Sequence, residues 1–207
     1  MSKTKSEEPA MLRPPMTDHF ATLQQSRRPW LDAAALKDTF HRLSAQQHPD
    51  TAGGDVDSFA ALNAAWQTLR EPASRLRHLI ELEAPGLLAR PVQIPPALAD
   101  TFMRIAALRR TLEDFRKKLA AASTPLARAL LAAEQRTLRS ALESALADLA
   151  AAHERALAEL RALDAAWPAS LDALAALQQQ LAFLSKWSTD LRESLFILHP
   201  SSFILPK

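Results

Sequence analysis

An imidazole, a ring-locked residue and a carboxylate stand in succession at His48-Pro49-Asp50. These types in that order suit recognition. Proline fixes the backbone, histidine offers a ring donor or acceptor, and aspartate offers an anion to a basic partner. No catalytic set accompanies them. The six histidines, at 19, 41, 48, 78, 153 and 199, show no metal-ligand spacing. There is no glycine-rich phosphate loop and no nucleophile constellation. The absence of cysteine excludes disulfides, a cysteine zinc site and cysteine ligation of an iron–sulfur cluster by this chain. The chain is expected to catalyse no reaction of its own and to hold no metal or cofactor.

Two amphipathic runs must position the tripeptide, Leu36 to Ala45 before it and Phe59 to Leu69 after it. Asp32 is placed to cap the first, with Leu36, Phe40 and Leu43 at helical spacing. Pro49 stops that helix, because proline disfavours helix at the residue before it. Asp55 or Asp57 caps the next, where Phe59, Leu62, Trp66 and Leu69 recur at intervals of three and four. Phe40, Phe59, Trp66 and Leu69 read as core. Upstream, a short helix capped by Asp18 carries Phe20 and Leu23 and runs to Arg27-Arg28-Pro29. Downstream, Glu71-Pro72 opens a fourth helix with Leu76, Leu79, Ile80 and Leu82. A charged, proline-stiffened corner between two helices is a contact surface.

The 207 residues contain 3 glycines and 14 prolines, and 48% are hydrophobic. That composition favours helices punctuated by proline and allows a buried core. Residues 1–16 read as a disordered leader, 17–83 as a four-helix domain and 84–96 as a proline-rich linker. Residues 97–195 read as a three-helix antiparallel bundle and 196–207 as a tail, so the fold class is all-α. The linker, APGLLARPVQIPP, should hold the second domain loosely in place. In the bundle, Leu98, Ile105, Leu112 and Leu119 repeat every seven residues, with Leu108 and Phe115 three residues on. The middle helix, residues 126–166, would span ~60 Å. It must therefore protrude, bend, or pack its end on the first domain. The leader has no apolar signal-peptide core and no stretch is apolar enough to span a membrane, which fits a cytoplasmic protein. A net charge of +2 argues neither for nucleic acid nor for lipid.

Over Asp18 to Leu82 the pattern resembles the J domain, the module that recruits and stimulates DnaK-type ATPase chaperones. The segment Leu62-Asn63-Ala64-Ala65-Trp66-Gln67-Thr68-Leu69-Arg70-Glu71-Pro72, with Arg75 and Leu79-Ile80, looks most like HscB, the J-type co-chaperone of iron–sulfur cluster assembly. The layout is similar too, a J domain, a short linker and a helical bundle. The resemblance implies that His48, Pro49 and Asp50 dock on the chaperone ATPase, with Lys37, His41 and Arg42 of the second helix along an acidic face. It implies a client held on the first bundle helix, with the iron–sulfur scaffold protein as the candidate. There Phe102-Met103 stand for a leucine–methionine pair and Leu108 for a later leucine.

The chain departs from the family pattern at several places. The lysine usual after the tripeptide is Thr51, and Asp32 and Asp38 offset Lys37 and Arg42, which weakens electrostatic steering. The aromatic expected in the fourth helix is His78. Acidic client-helix positions hold Arg104, Ala107 and Arg110, and residues 97–122 carry a net +3. Phe102 and Met103 fit ordinary packing as well as a client site. Thr51 and the nearly neutral second helix motivate a rival reading, a structural adaptor that oligomerises through its heptads. Arg104, Arg109, Arg110, Arg116, Lys117 and Lys118 read as a solvated face, with only Phe102 and Phe115 interleaved, so no nucleic-acid partner is expected.

Overall fold

The computed structural model describes residues 16–50, 54–89 and 95–198. Every regular element in them is helical: α1 His19–Thr22, α2 Ala33–Gln47, α3 Val56–Arg70, α4 Pro72–Glu83, α5 Ala99–Ala121, α6 Pro125–Asp164 and α7 Leu171–Ile197. Two 3-10 turns, Leu87–Ala89 and Pro96–Leu98, flank the linker; its residues 90–94 lie outside the description, as do Thr51, the leader up to residue 15 and the tail from residue 199. No described helix is long and apolar enough to cross a membrane.

Side-chain caps start the helices where the sequence placed them. Asp18 accepts the amides of Phe20 and Ala21, Asp32 that of Ala35, and Asp55 that of Ser58. Each satisfies amide donors that the helix itself leaves unpaired. Two boundaries differ from expectation. Helix α7 runs to Ile197, into the segment read as tail, and Leu198 is buried against the bundle. Helix α1 stops at Thr22, well short of Arg27, because Gln24 takes a positive φ of 52°. The Gln25 amide then donates to the Phe20 carbonyl (2.8 Å) and the Gln24 amide to the Ala21 carbonyl (3.0 Å). This is the Schellman pattern, which closes a helix C-terminus by reversing the chain. Periodicity carries no mark of such a stop, since glutamine rarely occupies the position.

Helices α1 to α4 enclose one core. Phe20, Leu23, Leu36, Leu43, Leu62, Leu69 and Leu79 are buried in it, with Phe40 stacked on Trp66 at 4.7 Å between ring centroids. Helices α5, α6 and α7 enclose the other as an antiparallel bundle. Its seam consumes the heptad residues Leu98, Ile105 and Leu112, together with Phe115, Leu142, Leu149, Leu160, Leu174, Leu181 and Leu191. Ala145, Ala152 and Ala156 alternate with the leucines of α6 and allow α7 to pack closely.

Helix α4 belongs to both cores. Leu79 and Leu82 face the first, while Ala73, Leu76 and Ile80 are buried in the second, against α7. Two apolar stripes on one helix leave little for the linker to decide: the bundle is seated by α4 rather than held loosely by residues 84–96. Arg75, 3% exposed, lies between them. Its Nε donates to the Pro29 carbonyl and its Nη1 to the Leu69 carbonyl, both at 2.9 Å. Burial pulls its pKa down to about 10, against the opposing pull of Glu71 and Asp164, so it stays charged at neutral pH. The long middle helix resolves its excess length by packing its end on the first domain, where Asp164 accepts from Arg28 and from the Trp30 amide.

Candidate functional site

The corner is formed where α2 runs out. His48 leaves the helix with ψ 133°, the extended conformation that a following proline demands. The Asp50 amide, 3.3 Å away, donates to His48 Nδ1. In the neutral ring that bond puts the proton on Nε2 and makes that edge a donor. The Phe59 ring meets the imidazole edge-on at 5.2 Å. The ring is thus held on two sides while 47% of the His48 side chain and 90% of the Asp50 side chain stay exposed. Phe59 is half-buried and sits beside the corner, outside the core to which periodicity assigned it. Helical spacing cannot separate a residue facing the core from one facing a loop at the helix end.

Lys37 and His41 are exposed and one turn apart, on the face that continues through Ser44 to His48. Arg42 is turned aside. Its Nη2 donates to Gln24 Oε1 at 2.8 Å, so part of the guanidinium steadies the reversed chain after α1. The structure therefore gathers His48, Pro49, Asp50, Lys37 and His41 on one side and gives Arg42 a second task. His78 replaces the expected aromatic in full. It stacks on Phe20 (5.8 Å) and its Nε2 accepts the His19 amide at 3.0 Å, capping α1 from α4. Burial and the neighbouring His19 lower its pKa to about 4, which keeps the ring neutral as that bond requires.

On the bundle, Phe102 is 37% and Met103 64% exposed. The Phe102 ring lies 5.9 Å from Trp187, which lies 5.4 Å from Phe183. An aromatic cluster results, in which the buried Trp187 lies between Phe102 of α5 and the half-buried Phe183 of α7. Sequence reasoning missed Phe183 and Trp187, whose only signal was aromatic character on an otherwise leucine-rich helix. Leu108 is half-buried against the bundle core, well round the helix from Phe102, and does not join the cluster.

The net positive charge of α5 is largely spent on its neighbours. Arg104 pairs with Asp148 of α6, Arg109 with Asp190 of α7 (3.2 Å), and Lys118 with Glu134 of α6 (2.7 Å). Lys117 faces Glu113 and Asp114 of its own helix. Exposed pairs of this kind add little stability. They do neutralise charge locally, and of the six basic residues only Arg110 and Arg116 make no ion pair among the described residues.

No family model matches the chain. Among solved structures it is similar to the chaperone HscB from Vibrio cholerae, with a TM-score of 0.59 and 21% identity over 88% of this chain and 100% of that one. Human co-chaperone HscB aligns with a TM-score of 0.41 and 14% identity over 87% of this chain and 86% of that one. The fold is that of HscB. The fold class is the all-α one read from the sequence, a helical hairpin with a projecting corner followed by a three-helix bundle.

Proposed function

We propose that the protein is a J-type co-chaperone. Its corner docks on a DnaK-type ATPase and stimulates hydrolysis, while its bundle presents a client. The observation that carries this reading is the corner itself. An imidazole pinned through Nδ1 and by Phe59 stands beside a nearly fully exposed carboxylate, at the tip of a rigid helical hairpin. A pre-organised polar tip loses little entropy on docking. Docking accelerates hydrolysis only if the corner binds the hydrolysis-competent state better than the resting one, about 1.4 kcal/mol better for each tenfold shift. No catalytic group need come from this chain.

The client reading rests on the aromatic cluster of Phe102, Phe183 and Trp187, with the exposed Met103 next to Phe102 in sequence. Aromatic and methionine side chains provide adaptable apolar contact area at low polar desolvation cost. The HscB layout makes an iron–sulfur scaffold protein the first client to test. The adaptor reading loses the seam through which copies would join, because the heptad residues Leu98, Ile105 and Leu112 are buried within one chain.

The deciding experiment is the steady-state ATPase rate of a purified DnaK-type chaperone. Wild-type protein should raise it and His48→Gln should return it to the basal rate. No stimulation by wild type, or equal stimulation by the variant, would overturn the proposal.

A further inference from the structure

The two halves are joined twice. The first joint is α4, whose bundle-facing stripe packs on α7. A body attached along one helix can still rock about that helix. The second joint lies at the far end of α6, where the segment Arg28-Pro29-Trp30 crosses Asp164. The Asp164 carboxylate, 9% exposed, accepts from both Nε and Nη2 of Arg28. It also accepts from the Trp30 amide at 3.0 Å. The Arg161 guanidinium lies over the Trp30 ring at 4.1 Å, and Trp167 packs against both cores. On the other side of the segment, the buried Arg75 holds the Pro29 carbonyl.

Successive residues of one short segment are thus clamped alternately to the bundle, to α4 and to the bundle again. Two residues later the chain reaches Asp32, the cap of α2, and α2 ends at the corner. Whatever fixes this segment fixes the root of the helix that carries the tripeptide. We propose that Asp164 is a positioning residue. By clamping Arg28 and Trp30 it sets the direction of the corner relative to the aromatic cluster of Phe102, Phe183 and Trp187, and so couples two surfaces that share no residue.

Three facts separate this role from simple stabilisation. The carboxylate lies outside both apolar cores. Its three acceptor contacts all reach across to the first domain. Burial works against its charge, yet Arg28, the Trp30 amide and Arg75 more than offset that and hold its pKa below the usual value. Removing it should leave each half folded and free the angle between them.

The test uses the full chain, which has no cysteine of its own to compete for labels. Spin labels on cysteines introduced at the exposed Ala60 of α3 and Ala147 of α6 report the distance between halves by pulsed electron resonance. Wild type should give one narrow distribution. Asp164→Ala should broaden it about twofold with helical content unchanged, since weakly joined domains move by default. Asp164→Asn, which can still accept the Trp30 amide but has lost the charge, should fall between. An unchanged distribution in Asp164→Ala overturns the proposal. Should that variant unfold, Arg28→Ala, which removes only a half-exposed guanidinium, must broaden the distribution or the proposal falls.

The functional consequence rests on the co-chaperone reading. Stimulation of the chaperone without client should survive in Asp164→Ala. The extra stimulation given by an iron–sulfur scaffold protein should drop about fivefold, the size of an ordinary coupling between sites. If wild type stimulates nothing, the co-chaperone reading fails and the distance measurement still decides the role of Asp164. If stimulation occurs and the client's share is unaffected in a broadened variant, the coupling claim is wrong.

Discussion

The corner and the aromatic cluster are built in opposite ways. The corner is three consecutive residues, strongly exposed, whose shape follows from one proline and local contacts. The cluster is apolar, and its rings come from α5 and α7, some eighty positions apart in the chain. The corner's chemistry survives wherever the hairpin survives. The cluster exists only at one packing angle of the bundle, because Phe102 meets Trp187 only if α5 and α7 keep their register. A local polar device can therefore be altered without touching its neighbours, whereas a composite apolar device responds to the core beneath it.

That contrast should appear as a double dissociation. His48→Gln should abolish chaperone stimulation and leave client affinity intact. Phe102→Ala should do the reverse, costing ~2 kcal/mol of client binding, roughly 30-fold in Kd, with stimulation unaltered. Titration of a scaffold protein by calorimetry, beside the ATPase assay, checks both. Loss of both activities in either single variant would show that the surfaces are not independent.

Phe59→Leu sharpens the account of the corner. It removes the edge-on contact with His48 at little cost to the half-buried site. About 1 kcal/mol of positioning should be lost, seen as a roughly fivefold weaker response to the chaperone, with helical content and melting temperature near wild type. An unchanged response would mean that Phe59 does not orient the ring.

The smallest effect is a titration, and it belongs to the corner's half. His78 is neutral in the fold, with its pKa lowered to about 4, against 6.5 for an unperturbed ring. Between those values the unfolded chain takes up a proton that the folded chain refuses. This contribution to stability is whole above 6.5 and lost as pH falls towards 4. Protonation would also break the bond from the His19 amide that caps α1. His19 is shifted downwards too, by burial against the opposing pull of Asp18, and adds in the same direction. The melting temperature should decline from about pH 7 to about pH 5, and His78→Phe should flatten that decline while starting lower. An identical slope in wild type and variant would remove His78 from the account.

Much of the first domain was legible from local chemistry. Asp18, Asp32 and Asp55 cap helices because a short acceptor side chain reaches its own neighbouring amides, which needs no other element. The stop at His48 is a steric property of Pro49. The bundle seam follows from helical period, since leucines repeated every three or four residues must share a face. Where the reading failed, the missing fact was a backbone torsion or lay on another element. Helix α1 ends early through a glutamine in a glycine-like conformation. Phe59 turned out to face the loop. The basic excess of α5 is balanced by Asp148, Asp190 and Glu134, on helices whose orientation no period specifies. Periodicity finds an apolar face and is silent on what that face meets.

By itself the chain settled how many helices form, where most begin and end, and which three residues make the corner. These are short-range matters of amide capping, proline sterics and the period of the helix. Tertiary structure alone decided that α4 serves two cores, that Phe102 and Phe183 both meet Trp187, and that Asp164 clasps Arg28 and Trp30 from 136 and 134 positions away. Such pairings depend on the angles and registers at which helices pack. Those are chosen by the fit of whole surfaces, and no local pattern encodes them.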